Sequence, residues 1–251
     1  MTVPNKICLA GDIHSNFAAL EAVVRDAGQV DAWWCVGDVV GYGPDPNECV
    51  ETVSELGAIV VAGNHDAGTT GKMSLSSFNM DARVAGEWTA GVLTANSKSF
   101  LESLPETHYL EDSDSLLVHG SPTDPMWEYV VSATQAERNF EAFTANICFI
   151  GHTHVPLVFA TPPAGSKEGV SETVPADGET IRLEAGRRYL VNVGSVGQPR
   201  DGDPRACYVM FEPAAMLITY YRVDYEVALT RRRMEEASLP SFLSSRLELG
   251  R

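Results

Sequence analysis

The chain has 251 residues, a length that suits one large α/β domain, and its 44% apolar content excludes a disordered or fibrous protein. Acidic residues outnumber basic ones 34 to 18, and the resulting formal charge of −16 repels nucleic-acid backbones and anionic membranes, which argues against stable binding to either. No stretch approaches the roughly 20 apolar residues that span a bilayer, and the N-terminal apolar run is too short, and lacks the cleavage site, for a signal peptide.

The five cysteines, Cys8, Cys35, Cys49, Cys148 and Cys207, are odd in number and widely spaced, and most lie in or beside apolar runs. Reduced, buried thiols in a cytoplasmic protein are the expectation, and the absence of a CxxC pair speaks against a zinc ribbon or a thioredoxin-like site.

The first half repeats one theme: an apolar strand, a glycine-containing loop, then a helix. Residues 6–10 read as a strand and 11–15 as its loop; Asn16 caps a helix with Phe17, Leu20, Val23 and Val24 on one face. Residues 32–36 form a second strand followed by the loop 37–43. There Asp45 caps the next helix, Pro46 takes its first position and Glu48 completes a capping box. Residues 58–62 form a third strand, with 63–66 as its loop. Such continuous apolar strands suit a sheet covered on both faces.

Residues 80–96 read as a longer helix. The second half is richer in strands, expected at 115–118, 147–150, 157–160, 181–184, 188–193, 206–212 and 216–223. Residues 161–180, rich in Pro, Gly, Ser and Glu, read as a mobile hairpin tip. The expected organisation is a single domain over 1–251 with a C-terminal helical segment over 225–251.

Histidine placement carries the chemistry. His14 sits in GDIHSN, His65 in GNHD, His119 in VHGS, and His152 and His154 in GHTH, each following an expected strand; His108 lacks that setting. In an open α/β sheet, loops at the carboxyl ends of strands converge on one crevice. Asp12, Asp38 and Asn64 share these loops, so the pool is two carboxylates, one amide and five imidazoles. Oxygen and imidazole donors without thiolate suit divalent Mn, Fe, Ni, Co or Zn. Each fragment alone reads equally well as a turn or cap; five in order read as a site.

The ordered blocks GDIH, GDVV, GNHD, VHG and GHTH resemble the calcineurin-like metallophosphoesterase superfamily, in particular its small bacterial and archaeal phosphodiesterases. The resemblance implies a four-layer α/β/β/α sandwich, two mixed β-sheets flanked by helices. It implies two divalent ions, manganese being the first expectation. Asp12, His14 and His154 would hold one, Asn64, His119 and His152 the other, and Asp38 would bridge them. A hydroxide bridging the ions would attack a phosphodiester or phosphomonoester, with His65 assisting and Asp66 orienting His65. Two divalent ions less two carboxylates leave a local charge near +2, which draws phosphate despite the −16 total.

The substrate is less legible. The Arg that follows the bridging Asp in Ser/Thr protein phosphatases is missing here, and Gly41-Tyr42-Gly43 stands in that region. Tyr42 is a substrate contact or a rim aromatic. Arg200, ending Asn192-Val-Gly-Ser-Val-Gly-Gln-Pro-Arg200, is a phosphate ligand or a surface residue after a turn. Trp127 and Tyr129 stack on a base or pack on the rim, and Phe78 and Asn79 are further candidates. The expected substrate is a small phosphate ester, possibly a nucleotide. The alternatives are a dinucleoside polyphosphate hydrolase, a Ser/Thr-phosphatase-like enzyme, and a non-catalytic scaffold of the same fold.

Overall fold

A computed structural model describes residues 4–251; the first three residues, part of the stretch read for a leader, lie outside the described residues. β1 (Ile7–Ala10), α1 (Phe17–Ala27), β2 (Ala32–Cys35), α2 (Pro46–Glu55), β3 (Ile59–Val60) and α3 (Asn64–Thr70) realise the expected repeat. α4 (Met80–Val92) and α5 (Ala95–Ser103) follow. The strand-rich part comprises β4 (Thr107–Leu110), β5 (Ser115–Val118), α6 (Ala133–Phe140), β6 (Ile147–Ile150), β7 (Leu157–Ala160), β8 (Ser171–Thr173), β9 (Thr180–Arg182), β10 (Tyr189–Asn192), β11 (Ala206–Glu212) and β12 (Leu217–Val223). α7 (Val227–Glu236) and α8 (Ser241–Arg246) come last.

Two mixed six-stranded sheets result, in the orders β3-β2-β1-β11-β12-β9 and β4-β5-β6-β10-β7-β8. β1, β2 and β3 are parallel in the first, and β5, β6 and β10 in the second. The continuous apolar strands are explained by their two covered faces. Ile7 and Leu9 of β1 point between the sheets, where they meet Phe149, Val191 and Phe211. Cys8 and Ala10 point outward onto Leu20 and Val23 of α1 and Val50 and Val53 of α2. In the second sheet Ile147 and Phe149 face inward, and Cys148 and Ile150 pack against Ala136 and Phe140 of α6. All five cysteines are buried and free. No helix among the described residues is long and apolar enough to cross a membrane.

Several elements differ from the sequence reading. Residues 63–66 were read as a loop, but Asn64–Thr70 form α3, whose first amides are tied to carboxylates: His65 N–H donates to Asp38 Oδ1 at 2.8 Å. The helix expected over 80–96 ends at Val92, and Thr94 caps a separate α5 by accepting from Ser97 N–H at 3.1 Å. β4, which carries His108, and α6 were not expected. Asp45 and Pro46 occupy the expected positions, but the capping box does not form: Asp45 Oδ1 accepts from Arg233 Nη1 of α7 at 3.1 Å instead. Within 161–180, Ser171–Thr173 pairs with β7 as β8.

Candidate metal centre

The loops after β1, β2, β3, β5, β6 and β10 all leave the carboxyl ends of parallel strands, so they gather at one edge of the sandwich. The first two are stitched together by backbone bonds, His14 N–H to Asp38 O at 2.9 Å and Ser15 N–H to Val39 O at 3.0 Å. Asp12, His14, Asp38, His152 and His154 all adopt left-handed backbone, with φ between 49° and 66°. Aspartate and histidine tolerate that region better than most residues, and at each position the turn aims the side chain inward.

The side chains of Asp12, His14, Asp38, Asn64, His119, His152 and His154 are brought together and buried. Two three-residue groups emerge, Asp12/His14/His154 and Asp38/His119/His152, each with donor atoms mutually within 4.8 Å; a third, His14/Asp38/His65, joins them. Asp38 Oδ2 lies 3.6 Å from His14 Nε2 and 3.3 Å from His119 Nε2, so its carboxylate stands between the two groups.

Tautomers follow from the partners of the other ring nitrogen. His14 Nδ1 meets Val40 O at 3.2 Å and His154 Nδ1 meets Gln198 O at 2.6 Å. A carbonyl only accepts, so both Nδ1 atoms carry the proton. Burial holds both imidazoles well below their ordinary pKa, so the rings are neutral and each Nε2 is a bare lone pair. Yet these two nitrogens lie 3.1 Å apart. Two lone pairs at that distance share no hydrogen bond, and the arrangement that reconciles them is a cation.

The second group has the same logic. His119 Nδ1 donates to Val36 O at 2.9 Å, and its Nε2 faces Asn64 Oδ1 and His152 Nδ1, each at 3.1 Å. Burial opposes charge on His119, but Asp38 outweighs it and raises the imidazole to about 9. Burial also opposes charge on Asp38, but His119 and His65 hold its carboxyl well below the usual range. Positive charge is thus drawn to the point where the groups meet. Oxygen and imidazole donors in this arrangement fit divalent ions of the kind the sequence suggested.

The remaining residues distribute differently. His65 does not join Asn64 at the His119 side. Its ring lies edge-on to His14 at 4.9 Å and 4.4 Å from Tyr42, its Nδ1 is buried without a hydrogen-bond partner, and burial lowers it to about 4. Asp66 Oδ1 accepts from Val40 N–H at 3.1 Å and Oδ2 from Gly63 N–H at 3.0 Å, so this carboxylate ties two site loops together. Tyr42 is not on the rim: it is buried between His14 and His65.

A cleft of about 70 Å³ opens onto Asp38, Asn64, His65 and His152, and Tyr42, Trp127 and Arg200 line it too. Arg200 Nη2 donates to Gln198 Oε1 at 3.2 Å and reaches Tyr42 Oη at 3.4 Å. Phe78 stands 5.0 Å from both His65 and Trp127, and Tyr129 stacks on His152 at 4.1 Å. The sequence reading missed Gln198, whose carbonyl fixes His154; a glutamine in a glycine-rich loop gives no signal for that. A larger groove of about 390 Å³ between α1 and α7 holds none of the metal donors.

Residues 6–215 match the family model of the calcineurin-like phosphoesterase superfamily domain, and the chain belongs to that superfamily. It is 47% identical to a metallophosphoesterase from Sphaerobacter thermophilus, whose crystal structure superposes with a TM-score of 0.88 over 99% of this chain and 100% of that one. It is also 36% identical to an uncharacterised protein of Methanocaldococcus jannaschii, over 99% of this chain and 100% of the relative. A symmetrical bis(5'-nucleosyl)-tetraphosphatase of Proteus mirabilis is 28% identical over about half of each chain, 55% of this one and 52% of the relative. The superfamily is one of metallophosphoesterases with dinuclear metal centres, and membership supports a phosphoesterase hydrolase here.

Proposed function

We propose that this protein is a two-metal phosphoesterase that hydrolyses a small phosphodiester or phosphomonoester, of nucleotide type. The observation that carries this reading is the pair of neutral imidazoles, His14 and His154, whose lone pairs face each other at 3.1 Å. Asp12, His14 and His154 would hold one ion, Asn64, His119 and His152 would hold the other, and Asp38 would serve both; the donor groups Asp12/His14/His154 and Asp38/His119/His152, with Asn64 Oδ1 3.1 Å from His119 Nε2, support this. When bound, two such ions supply Lewis acidity and a nucleophile at neutral pH; manganese is the metal proposed first.

The chain's own residues do the rest. The carbonyls of Val36, Val40 and Gln198 fix three imidazole tautomers, so the donors need no rearrangement. Asn64 contributes a neutral oxygen, which leaves its ion more electrophilic than a third carboxylate would. His65 lines the cleft, where its ring can hydrogen-bond the scissile phosphate or, once protonated, give a proton to the leaving oxygen. Arg200, with Tyr42 behind it, grips a phosphoryl oxygen, a task that falls to a different Arg in the protein phosphatases. Trp127 and Tyr129 offer faces to a base.

Hydrolysis of bis-p-nitrophenyl phosphate with added manganese tests the reading. Asp38→Asn and His65→Ala are each expected to lose about 100-fold or more in kcat/KM. Equal rates in the wild type and both variants would overturn it and favour a scaffold role.

A further inference from the structure

Two glycines inside helices shape the wall of the cleft that the metal donors do not form. Gly68 lies within α3 and Gly86 within α4, positions where glycine is less stable than alanine. The space their missing side chains leave is filled. A Cβ at Gly68 would stand 2.8 Å from Leu75 Cδ2 and 3.1 Å from Phe78 Cζ, and one at Gly86 would stand 2.8 Å from Leu75 Cδ2. Leu75 opens the 3-10 turn Leu75–Ser77 between the two helices and is wedged against both. Phe78 N–H donates to Leu75 O at 3.1 Å, and Asn79 caps α4 by accepting from Ala82 N–H at 3.0 Å. The backbone on either side of Phe78 is thereby held.

Phe78 packs against the cluster that contains Tyr42 and Ala82, but it is only half-buried, and its ring lines the cleft. It meets His65 edge-on at 5.0 Å and Trp127 edge-on at 5.0 Å, and Trp127 stands 6.5 Å from His152. Four rings thus run in one line along the cleft wall. Core packing alone does not require the contact with Trp127, which joins two separate loops, the one between α3 and α4 and the one after β5. The cleft beside them measures about 70 Å³, far below the roughly 300–1,000 Å³ of pockets that enclose a whole small ligand. Such a space takes a phosphoryl group and leaves no room for two large groups attached to it.

We propose that the Phe78–Trp127 contact determines which esters reach the metal centre, and that the reacting phosphorus of the substrate bears one large substituent at most, as in a terminal phosphate or a diester whose second arm is small. This rests on the phosphoesterase reading of the cleft and narrows it. Phe78, seated against Gly68, limits the group beside the scissile bond; a base or other bulky part of the substrate stays outside the aromatic pair.

The test compares wild type, Phe78→Ala and Phe78→Leu in two measurements. With manganese, kcat/KM is measured for bis-p-nitrophenyl phosphate and for methyl p-nitrophenyl phosphate. Both esters lose p-nitrophenolate and differ in the arm that stays behind, so their intrinsic reactivities, and any effect of Phe78 through His65, cancel when the ratio is compared between proteins. The ratio of the bulky to the small ester is expected to rise about tenfold or more in Phe78→Ala, and by less in Phe78→Leu, which keeps an apolar side chain against Gly68 and decides the matter if the alanine variant does not fold. In manganese-loaded protein, calorimetry with diphenylphosphinate and dimethylphosphinate, whose P–C bonds are not hydrolysed, is expected to show the same shift toward the bulky anion, about tenfold in Phe78→Ala. An unchanged ratio in either measurement, or binding of neither phosphinate to any of the proteins, would overturn the proposal. If wild type cleaves neither ester, the phosphoesterase reading fails, while phosphinate binding still decides whether Phe78 limits what enters.

Discussion

Gly63 is not a donor, yet its replacement by alanine is expected to dismantle the metal centre. Gly63 is the N-cap of α3 with φ −96°, a backbone conformation that alanine adopts freely, so any effect is steric. A Cβ there would stand 2.7 Å from Asp38 Cγ and closer still to Oδ1 and the backbone N. Carbon atoms pack at about 3.5–4.0 Å, so the Asp38 carboxylate must retreat by about 1 Å. It is pinned by His65 N–H at 2.8 Å and cannot retreat without disturbing α3. A displacement of about 1 Å at a shared ligand corresponds to a loss of about 100-fold in kcat/KM. Overpacking costs about 1–3 kcal/mol, and a chain of this size loses about 2–4 °C of Tm per kcal/mol, a fall of about 2–12 °C. Metal content by plasma spectrometry, kcat/KM on a nitrophenyl diester and calorimetric Tm are the readouts. Gly63→Ala protein that keeps two ions per chain and a rate within about twofold of wild type would refute the placement of Asp38 between the two groups.

Gly91→Ala is the matched control: its Cβ would enter open space on α4, and a gain of about 0.5–1 kcal/mol in thermal stability with unchanged metal content is expected. Chelation is expected to lower Tm, because an ion at about 100 times its dissociation constant contributes about 2.7 kcal/mol, or about 5–11 °C here; a Tm indifferent to chelator and to added manganese would count against the centre. Glu128 accepts from Ser121, Thr123 and Asn139 and pairs with Arg138, bracing the loop that carries Trp127 and Tyr129. Glu128→Ala is expected to raise KM several-fold with metal content intact, whereas loss of metal would assign the loop a structural role instead. Asp66→Ala strands two buried amides, and a loss of about 2–5 kcal/mol in denaturant unfolding is expected; a near-neutral stability with an altered pH–rate profile would favour Asp66 as the partner of His65.

The loops were legible because they juxtapose residue types that rarely meet by chance, and because β1, β2 and β6 are apolar throughout and β5 and β10 nearly so, which announces the positions that follow them. What stayed hidden depends on contacts distant in sequence. The segment NHDAGTT has no apolar periodicity; it is helical because Asp38 and Asp66 satisfy its first amides. α6 (ATQAERNF) buries little besides Ala136, Asn139 and Phe140, too few for a stripe to show. β4 alternates exposed and half-buried positions at a sheet edge, and its His108 resembled an isolated residue. Glu48 and Asp45 spelled a capping box, but Arg233, far along the chain, competes for the carboxylate. The resemblance implied that Asp66 orients His65, and nothing in the sequence signalled that its two oxygens accept from the Val40 and Gly63 amides.

The left-handed backbone at Asp12, His14, Asp38, His152 and His154 has an evolutionary consequence. Each such residue costs roughly 1–2 kcal/mol relative to an ordinary conformation, less for Asp than for bulkier types. Glycine at any of the five relieves that cost, so the same positions where a random search for thermostability finds easy gains are those where every gain removes a donor. A lineage released from selection for catalysis is therefore expected to drift toward glycine at these turns first, becoming sturdier as it falls silent.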